Sequence, residues 1–403
     1  MLNNLKKIFN KNSTSIDLSN DEEKKFNYHH ELYFKNHANF EYESGKPFGN
    51  YKESASILFQ MGLLFEGSKI GRSQKIGEIG CGGGWLSHYI SRLNNEVHIM
   101  DISPSAIKMA KKLFKTHPVK HSKVFFHLLK NNLIDLPDNS LDRIVFHDTL
   151  HHIPRPLQVL KECNRVLKEG GILGLSECGP LHSKIPAIID CREKTGILER
   201  DLTFKDLKVL AKNSGFHKVT IKPYPSVSSL ELSLNNLEKS FFNNKVIVSN
   251  KIIADSYVKG DQTLAFFHKG KFSFDTRYPN NPKAKIQITE KKIIDGNLIL
   301  KIKVKNIGDT IFLTKPNELG GFCKLGAHLL KDNGEIITFD FIHQPLDNYE
   351  SIKVGKHIDV DLKIDLKNLR KNYIIELDLI IEGVCWLAYM GSKTSKLHLN
   401  FIS

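Results

Sequence analysis

The stretch KIGEIGCGGGW, Lys75 to Trp85, decides the fold of this chain. Its first five residues predict a short buried strand, and the glycines that follow predict a tight turn into a helix that begins at Trp85. Glycine has no Cβ, so the backbone of such a turn can approach a ligand closely. Glu78 lies at the carboxyl end of the strand, which is the edge where open parallel sheets bind their ligands. The stretch therefore predicts a ligand site.

The spacing of the glycines excludes one common ligand class. A nicotinamide dinucleotide site requires G-x-G-x-x-G, but the position of the third glycine is Trp85 when counted from Gly80 and Ser87 when counted from Gly82. A carboxylate at Glu78 would also repel a phosphate. It suits a ligand that is cationic or rich in hydrogen-bond donors.

Strand and helix patterns alternate after this turn, which predicts a parallel sheet covered by helices on both faces. A helix is expected at 156–168, where it ends before Gly170 and Gly171. Another helix is expected at 204–214. The predicted strands lie at 75–79, 96–100, 124–128, 142–147, 172–177, 217–224 and 263–268.

Composition limits the protein class. The 403 residues include 40% hydrophobic and 25% charged side chains, with a formal net charge of +14. This balance favours a folded protein with anionic partners. No apolar run is long enough to span a bilayer, and we expect a cytoplasmic protein. Residues 1–9 could form a short amphipathic helix, so peripheral contact with the inner membrane is the alternative.

The cysteines do not predict a metal site or a disulfide framework. Six cysteines are present, but no C-x-x-C pair occurs among them. We therefore expect a reducing compartment and no bound metal.

The periodicity changes from about residue 284. Apolar residues then alternate with polar ones, as in the run Leu298, Leu300, Ile302 and Val304, and turn sequences such as Asp332-Asn333-Gly334 separate the runs. This pattern predicts an all-β sandwich. We expect a helical preamble at 1–50, an α/β domain at 51–274, a linker at 275–283 and the sandwich at 284–403.

Four stretches together resemble the class I S-adenosylmethionine-dependent methyltransferases of the type 11 group. They are the E-x-G-x-G-x-G motif, Asp101 about 20 residues later, LIDLPDNSLDRIVFHDTLHHI from Leu133 to Ile153, and RVLKEGGILGLSE from Arg165 to Glu177. The resemblance implies a Rossmann-like seven-stranded sheet whose last strand is antiparallel. It also implies S-adenosylmethionine as the cofactor.

The resemblance implies a set of cofactor-binding residues. Asp101 would accept hydrogen bonds from the ribose hydroxyls. The adenine contact stays open between Asn132, the backbone of Leu133, and Asp135. The full predicted set is Glu78, Gly80, Cys81, Gly82, Gly84, Asp101, Ile102, Asn132, Leu133 and His147.

The HDTLHH segment follows the fourth strand, where methyl donor and acceptor meet in this family. Transfer to a hydroxyl requires a base that removes the proton late in the reaction. The candidates are His151, His152 and Glu177, and Asp148 is a candidate substrate contact. The Asn-Pro-Pro-Tyr motif of base methylation is absent, so we do not expect a nucleic-acid substrate.

The C-terminal part resembles the carbohydrate-binding β-sandwich, immunoglobulin-like in fold, of the ATP-binding subunits of O-antigen exporters. The resemblance depends on Val304-x-Asn306-x-Gly308, on Leu325 to Leu329 and on Asp378 to Ser392. It implies sugar contacts at His328 and Trp386. The combined prediction is an O-methyltransferase for a surface polysaccharide or its lipid-linked precursor, working beside the glycan export machinery. The alternatives are a methyltransferase of a small lipid or quinone-like molecule and a non-catalytic glycan-binding scaffold.

Overall fold

The computed structural model describes residues 17–222, 262–367 and 369–400. The predicted helix at 1–9 lies outside these residues. The chain forms two compact units, one of Met1–Ile70 with Gln74–Phe272 and one of Gly71–Ser73 with Ser273–Ser403. Across the described ranges, no helix combines the length and the hydropathy that a membrane span requires.

A seven-stranded sheet organises the first unit, with the strand order β3-β2-β1-β4-β5-β7-β6. Strand β7 runs antiparallel to both of its neighbours, β5 and β6, while β1 to β5 pair in parallel. The predicted α/β class and the antiparallel strand near 263–268 are therefore confirmed. The strands are β1 (Lys75–Ile79), β2 (Glu96–Asp101), β3 (Lys123–Leu128), β4 (Leu141–His147), β5 (Leu167–Cys178), β6 (Lys218–Lys222) and β7 (Gln262–His268).

Helices cover both faces of this sheet. Ile76 and Ile79 lie three positions apart on β1, so they face opposite sides, and each belongs to a separate buried cluster. The helices are α1 (Asn20–Asn36), α2 (Phe40–Gly45), α3 (Tyr51–Ser68), α4 (Trp85–Ser91), α5 (Pro104–Thr116), α6 (Pro156–Val166), α7 (Pro186–Thr195) and α8 (Phe204–Asn213), with short 3₁₀ turns at Leu150–His152 and His182–Lys184.

The predicted helix at 156–168 is too long. Helix α6 ends at Val166, and Leu167 already has an extended ψ of 138°. The Gly170 amide donates to the carbonyl of Lys269 at 2.7 Å, so Gly170 and Gly171 lie inside β5 instead of ending the helix. The hydrogen bond to the segment at Lys269 outweighs the local tendency of glycine to end a helix.

The second unit is built from strands. Leu298, Leu300, Ile302 and Val304 are all fully buried, which confirms the predicted period of two. They share one hydrophobic core with Leu325 and with other residues of a second sheet. The strands are β8 (Phe274–Asp275), β9 (Ala284–Ile294), β10 (Asn297–Asn306), β11 (Thr310–Leu313), β12 (Cys323–Lys331), β13 (Ile336–Pro345), β14 (Ser351–Ile352), β15 (His357–Asp365), β16 (Tyr373–Ile381), β17 (Cys385–Trp386) and β18 (Ser395–His398), with a 3₁₀ turn at Leu387–Met390.

These strands form a five-stranded sheet, in which β13, β12, β16 and β17 are neighbours and β18 also pairs with β16. Two three-stranded sheets, β15-β10-β9 and β14-β11-β8, complete the unit. The all-β class is thus present, and the immunoglobulin-like topology remains a prediction.

Candidate active site

The glycine turn between β1 and α4 requires glycine for two different reasons. Gly80 has a φ of +70°, and a Cβ on it would lie 2.0 Å from Cγ2 of Thr149. This close approach brings the turn against the segment that follows β4. Gly84 has a φ of +80°, and a Cβ on it would lie 2.8 Å from Cβ of Ala110. Gly84 therefore allows α4 to pack on α5, and it does not line the cavity described below.

Two carboxylates stand beside this turn. Glu78 is buried and accepts hydrogen bonds from the amide of Ser87, at 3.0 Å, and from its hydroxyl. Burial raises the pKa of Glu78 to about 8. Asp101 accepts from the amide of Gly82 at 3.1 Å and from the amide of Ser103 at 2.9 Å. The two acids thus face the same turn from adjacent strands.

A cavity opens above the turn at the carboxyl edge of the sheet. Its polar arm is lined by Glu78, Asp101 and the backbone of 80–83, which includes the predicted residues Cys81 and Gly82. Side chains of α1 and α2 cover it. They are His30, Tyr33, Phe34 and Glu43, and Lys46 lies just beyond α2.

For Tyr33 and Phe34 the sequence predicts a face that either caps the active site of the next domain or packs on that domain, and both residues line the cavity. Their available signal was the aromatic face at helical spacing in 26–37. That signal indicates packing against a neighbouring domain, but it does not specify a site.

A second, more apolar arm continues from the first and shares Gly80, Asp101 and His152 with it. Ile79, Ile102, Leu129 and Val159 line this arm, which suits a flat apolar ring. Asn132 also lines it, and its amide nitrogen donates to Glu23 and, at 3.4 Å, to Gln158.

Leu133 does not reach this arm. Its side chain is 56% exposed, and its backbone amide already donates to the carbonyl of Lys130 at 3.0 Å. Asp135 is likewise exposed. Of the three adenine-contact candidates, only Asn132 therefore lies at the cavity.

The acid–base candidates separate into two groups. Glu177 is buried and accepts from the backbone amides of Thr149 and Leu150, and from Nδ1 of His151 at 2.8 Å. Neither Glu177 nor His151 lines the cavity. Their assignment as bases that touch substrate is therefore corrected. Glu177 holds the HDTLHH segment in place, because four groups of this segment donate to it, including the backbone amide of His151.

Of the three acid–base candidates, His152 is the one that faces the cavity, and it lines both arms. Its Nδ1 lies 2.6 Å from the carbonyl of Leu198. A carbonyl can only accept, so Nδ1 carries the proton and Nε2 keeps a lone pair. Burial, together with the neighbouring His151, lowers the pKa of His152 well below its ordinary value. The neutral ring can therefore accept a hydrogen bond at Nε2.

His147 and Asp148 also line the polar arm. Nδ1 of His147 lies 3.3 Å from a carboxylate oxygen of Asp148, and its ring packs edge-on against Trp85 at 5.0 Å. Nε2 of His147 is buried, and none of the described residues forms a hydrogen bond with it. Burial lowers the pKa of His147, so the ring is neutral near pH 7.

The predicted sugar contacts in the second unit are buried. Trp386 is 5% exposed and His328 is 8% exposed, with ring centroids 4.2 Å apart. Gly326 leaves room for the indole, since a Cβ there would lie 2.4 Å from it. Because their faces are covered, the prediction that these two residues stack on a sugar is corrected. The exposed aromatic side chains nearby are Phe339, at 44%, and Tyr389, at 72%.

The part of the chain that is similar to known proteins includes residues that line the cavity. Residues 77–175 match the family model described as a methyltransferase domain. Over 101 residues the chain is 32% identical to the ubiquinone biosynthesis O-methyltransferase of Xanthomonas campestris, covering 25% of this chain and 41% of that protein. The corresponding protein of Xanthomonas euvesicatoria is 30% identical over the same coverage. The chain thus spans less than half the length of these curated relatives.

Solved structures are similar at lower identity. The geranyl diphosphate C-methyltransferase of Streptomyces coelicolor is 12% identical with a TM-score of 0.42, over 60% of this chain and 96% of that one. The YcgJ protein of Bacillus subtilis is 15% identical with a TM-score of 0.38, over 53% of this chain and 99% of that one. The match to the methyltransferase-domain family model covers residues 77–175, the segment that carries the glycine turn, Asp101 and the HDTLHH motif.

Proposed function

We propose that the α/β unit is an S-adenosylmethionine-dependent O-methyltransferase. The observation that carries this proposal is the convergence of Glu78, the glycine turn and Asp101 on one cavity whose second arm is apolar. The side-chain oxygens of Glu78 and Asp101 can accept from the amino and ribose hydroxyl donors of this cofactor, and the apolar arm suits its adenine. The similarity of residues 77–175 to a methyltransferase domain supports the same conclusion.

Bound S-adenosylmethionine supplies the electrophilic methyl group on a sulfonium. The protein has to align the acceptor oxygen and exclude water. In the proposed reaction Nε2 of His152 would take the proton of the acceptor hydroxyl as the methyl group passes from sulfur to the acceptor oxygen, which would leave S-adenosylhomocysteine as the second product. The neutral ring of His147 and the side chain of Asp148 would bind the acceptor beside His152. Glu177 acts as a positioning residue, because it fixes the backbone of the segment that contains His152.

We propose a sugar hydroxyl of a surface polysaccharide, or of its lipid-linked precursor, as the acceptor. The described lining combines Tyr33 and Trp85 with Glu43, Lys46 and Glu199, a mixture of aromatic and charged groups that suits a polyhydroxylated substrate. The net charge of +14 would favour an anionic carrier. The second unit would hold the glycan or contact its export machinery, through the face that presents Phe339 and Tyr389.

A quinone-like phenol is the second candidate acceptor. It is favoured by one observation, the 32% identity over 101 residues to ubiquinone biosynthesis O-methyltransferases. The charged lining of the polar arm is less suitable for such an apolar ring. Radiolabelled methyl transfer from S-adenosylmethionine to extracted lipid-linked oligosaccharide, compared with transfer to a catechol, would distinguish the two candidates.

The cofactor is tested separately from the acceptor. Calorimetric titration with S-adenosylhomocysteine should show micromolar binding to the wild type and at least tenfold weaker binding to Asp101→Ala, which is about 1.4 kcal/mol. Leu133→Ala serves as the control, because Leu133 lies outside the cavity. A well-folded wild type that does not bind the ligand would contradict the methyltransferase proposal. It would favour a non-catalytic scaffold.

A further inference from the structure

A group of four side chains lies beside the cavity, and three of them touch neither the cavity nor the proposed acceptor. We call it the histidine cluster, and it consists of His151, Cys178, His182 and Glu199. Donor atoms of His151, Cys178 and His182 all lie within 4.8 Å of one another, and all three side chains are buried. Only Glu199 of the four reaches the cavity.

The hydrogen bond that His151 makes through Nδ1 leaves its Nε2 facing another hydrogen-bond acceptor. Nδ1 of His151 donates to the carboxylate of Glu177 at 2.8 Å, so Nε2 of the neutral ring is an acceptor. Nε2 faces a carboxylate oxygen of Glu199 at 3.5 Å, and that oxygen is an acceptor as well. Two acceptors that face each other in a buried site are unfavourable unless a proton or a metal ion lies between them.

The surrounding atoms favour a metal ion. Nε2 of His182 converges on the same Glu199 oxygen at 3.0 Å, and the Cys178 thiol adds a soft donor. Metal bonds of about 2.0–2.1 Å in a tetrahedral site place neighbouring ligand atoms about 3.3 Å apart. The observed separations of 3.5 and 3.0 Å lie on either side of this value. A carboxylate that orients a histidine ligand, as Glu177 does, is common at metal sites.

We propose that the histidine cluster binds one divalent cation of the zinc class through His151, Cys178 and His182, whose donor atoms lie within 4.8 Å of one another, with Glu199 beside Nε2 of His182 as a fourth donor. Mixed imidazole, thiolate and carboxylate ligands select such an ion. The ion would connect the segment after β4, the end of β5, the 3₁₀ turn at 182–184 and the loop at 199. It would thereby hold Glu199 against the cavity. This inference does not depend on methyl transfer.

The sequence did not predict this site because its ligands are spread over 48 positions, from 151 to 199, without a short motif. Strand β5 and the segment after β4 are neighbours in the sheet, so folding brings Cys178 close to His151.

The first test measures zinc in the full-length protein after removal of any affinity tag. We expect one zinc per chain by elemental mass spectrometry and a saturable affinity that falls at least tenfold in His182→Ala. The control is His127→Ala, which removes a histidine pair elsewhere in the sheet, where Nε2 of His127 lies 3.0 Å from Nδ1 of His98. No saturable zinc binding, equal affinity in His182→Ala, or loss of zinc in His127→Ala would each overturn the proposal.

A second measurement serves if His182→Ala does not fold. Cobalt(II) added to the wild type should give the intense visible absorption of a tetrahedral site and a sulfur-to-cobalt charge-transfer band. The charge-transfer band should disappear in Cys178→Ser. A weak spectrum typical of hexa-aqua cobalt would overturn the proposal.

Discussion

Glu78 should make the stability of the ligand-free protein fall as pH rises. Burial raises its pKa from 4.5 to about 8, a difference of about 3.5 pH units that corresponds to about 5 kcal/mol. Because the folded state holds this proton more tightly than the unfolded state, its favourable contribution is complete below pH 4.5 and is lost as pH rises through about 8. Glu78→Gln removes the titration and leaves an amide oxygen that accepts from Ser87.

The assay is urea unfolding of both proteins without ligand from about pH 5 to about pH 9. The unfolding free energy of Glu78→Gln minus that of the wild type should increase by about 4 kcal/mol over this range. Glu66→Gln is the control. Its side chain is half exposed, and its pKa is lowered by Lys222 and Lys69, so its difference from the wild type should stay flat above pH 5. A constant difference for Glu78→Gln would refute the reasoning.

Three further substitutions test other parts of the molecule. His152→Gln should lower the methyl-transfer rate by about 10²- to 10⁴-fold while S-adenosylhomocysteine still binds, because the proton acceptor is lost; equal rates would contradict its role. Gly80→Ala should lower the unfolding free energy by about 2–4 kcal/mol, because of the contact with Thr149 and the positive φ. Gly62→Ala is its control and should not destabilise the protein, because a Cβ on Gly62 would have no neighbour within 4 Å. Asn306→Ala should cost about 2–4 kcal/mol, since its amide donates to two buried carbonyls; a cost no greater than that of Asn297→Ala would show that these bonds contribute little.

Local patterns predicted most of the fold. Many strands alternate or are apolar, and a side chain caps the N-terminus of five of the eight helices in the described residues. Ser103, for example, caps α5 through a 3.0 Å bond from Ala106. The error at 167–171 arose where local and distant preferences disagree. Glycines favour the end of a helix, but the carbonyl of Lys269, about a hundred residues later, places Gly170 in a strand.

The buried aromatic residues of the second unit show the same limit. Alternation predicted that β10 would bury every second side chain, and it does. No pattern in the chain distinguishes a tryptophan that binds sugar from one that fills a core. The burial of Trp386 depends on the space left by Gly326 on β12, the strand beyond β16 in the sheet, and on His328 two positions after Gly326.

By itself, the sequence determined the α/β class, the glycine turn and the two acids beside it, because these depend on neighbours within about twenty residues. The tertiary structure alone decided which of two adjacent histidines faces the cavity. His151 turns inward to Glu177, a residue of β5, while Leu198 orients His152 toward the cavity. It also decided that Tyr33, Glu43 and Glu199 join the site. Such choices depend on contacts between segments far apart in the chain, and side-chain direction follows the partner that burial makes available.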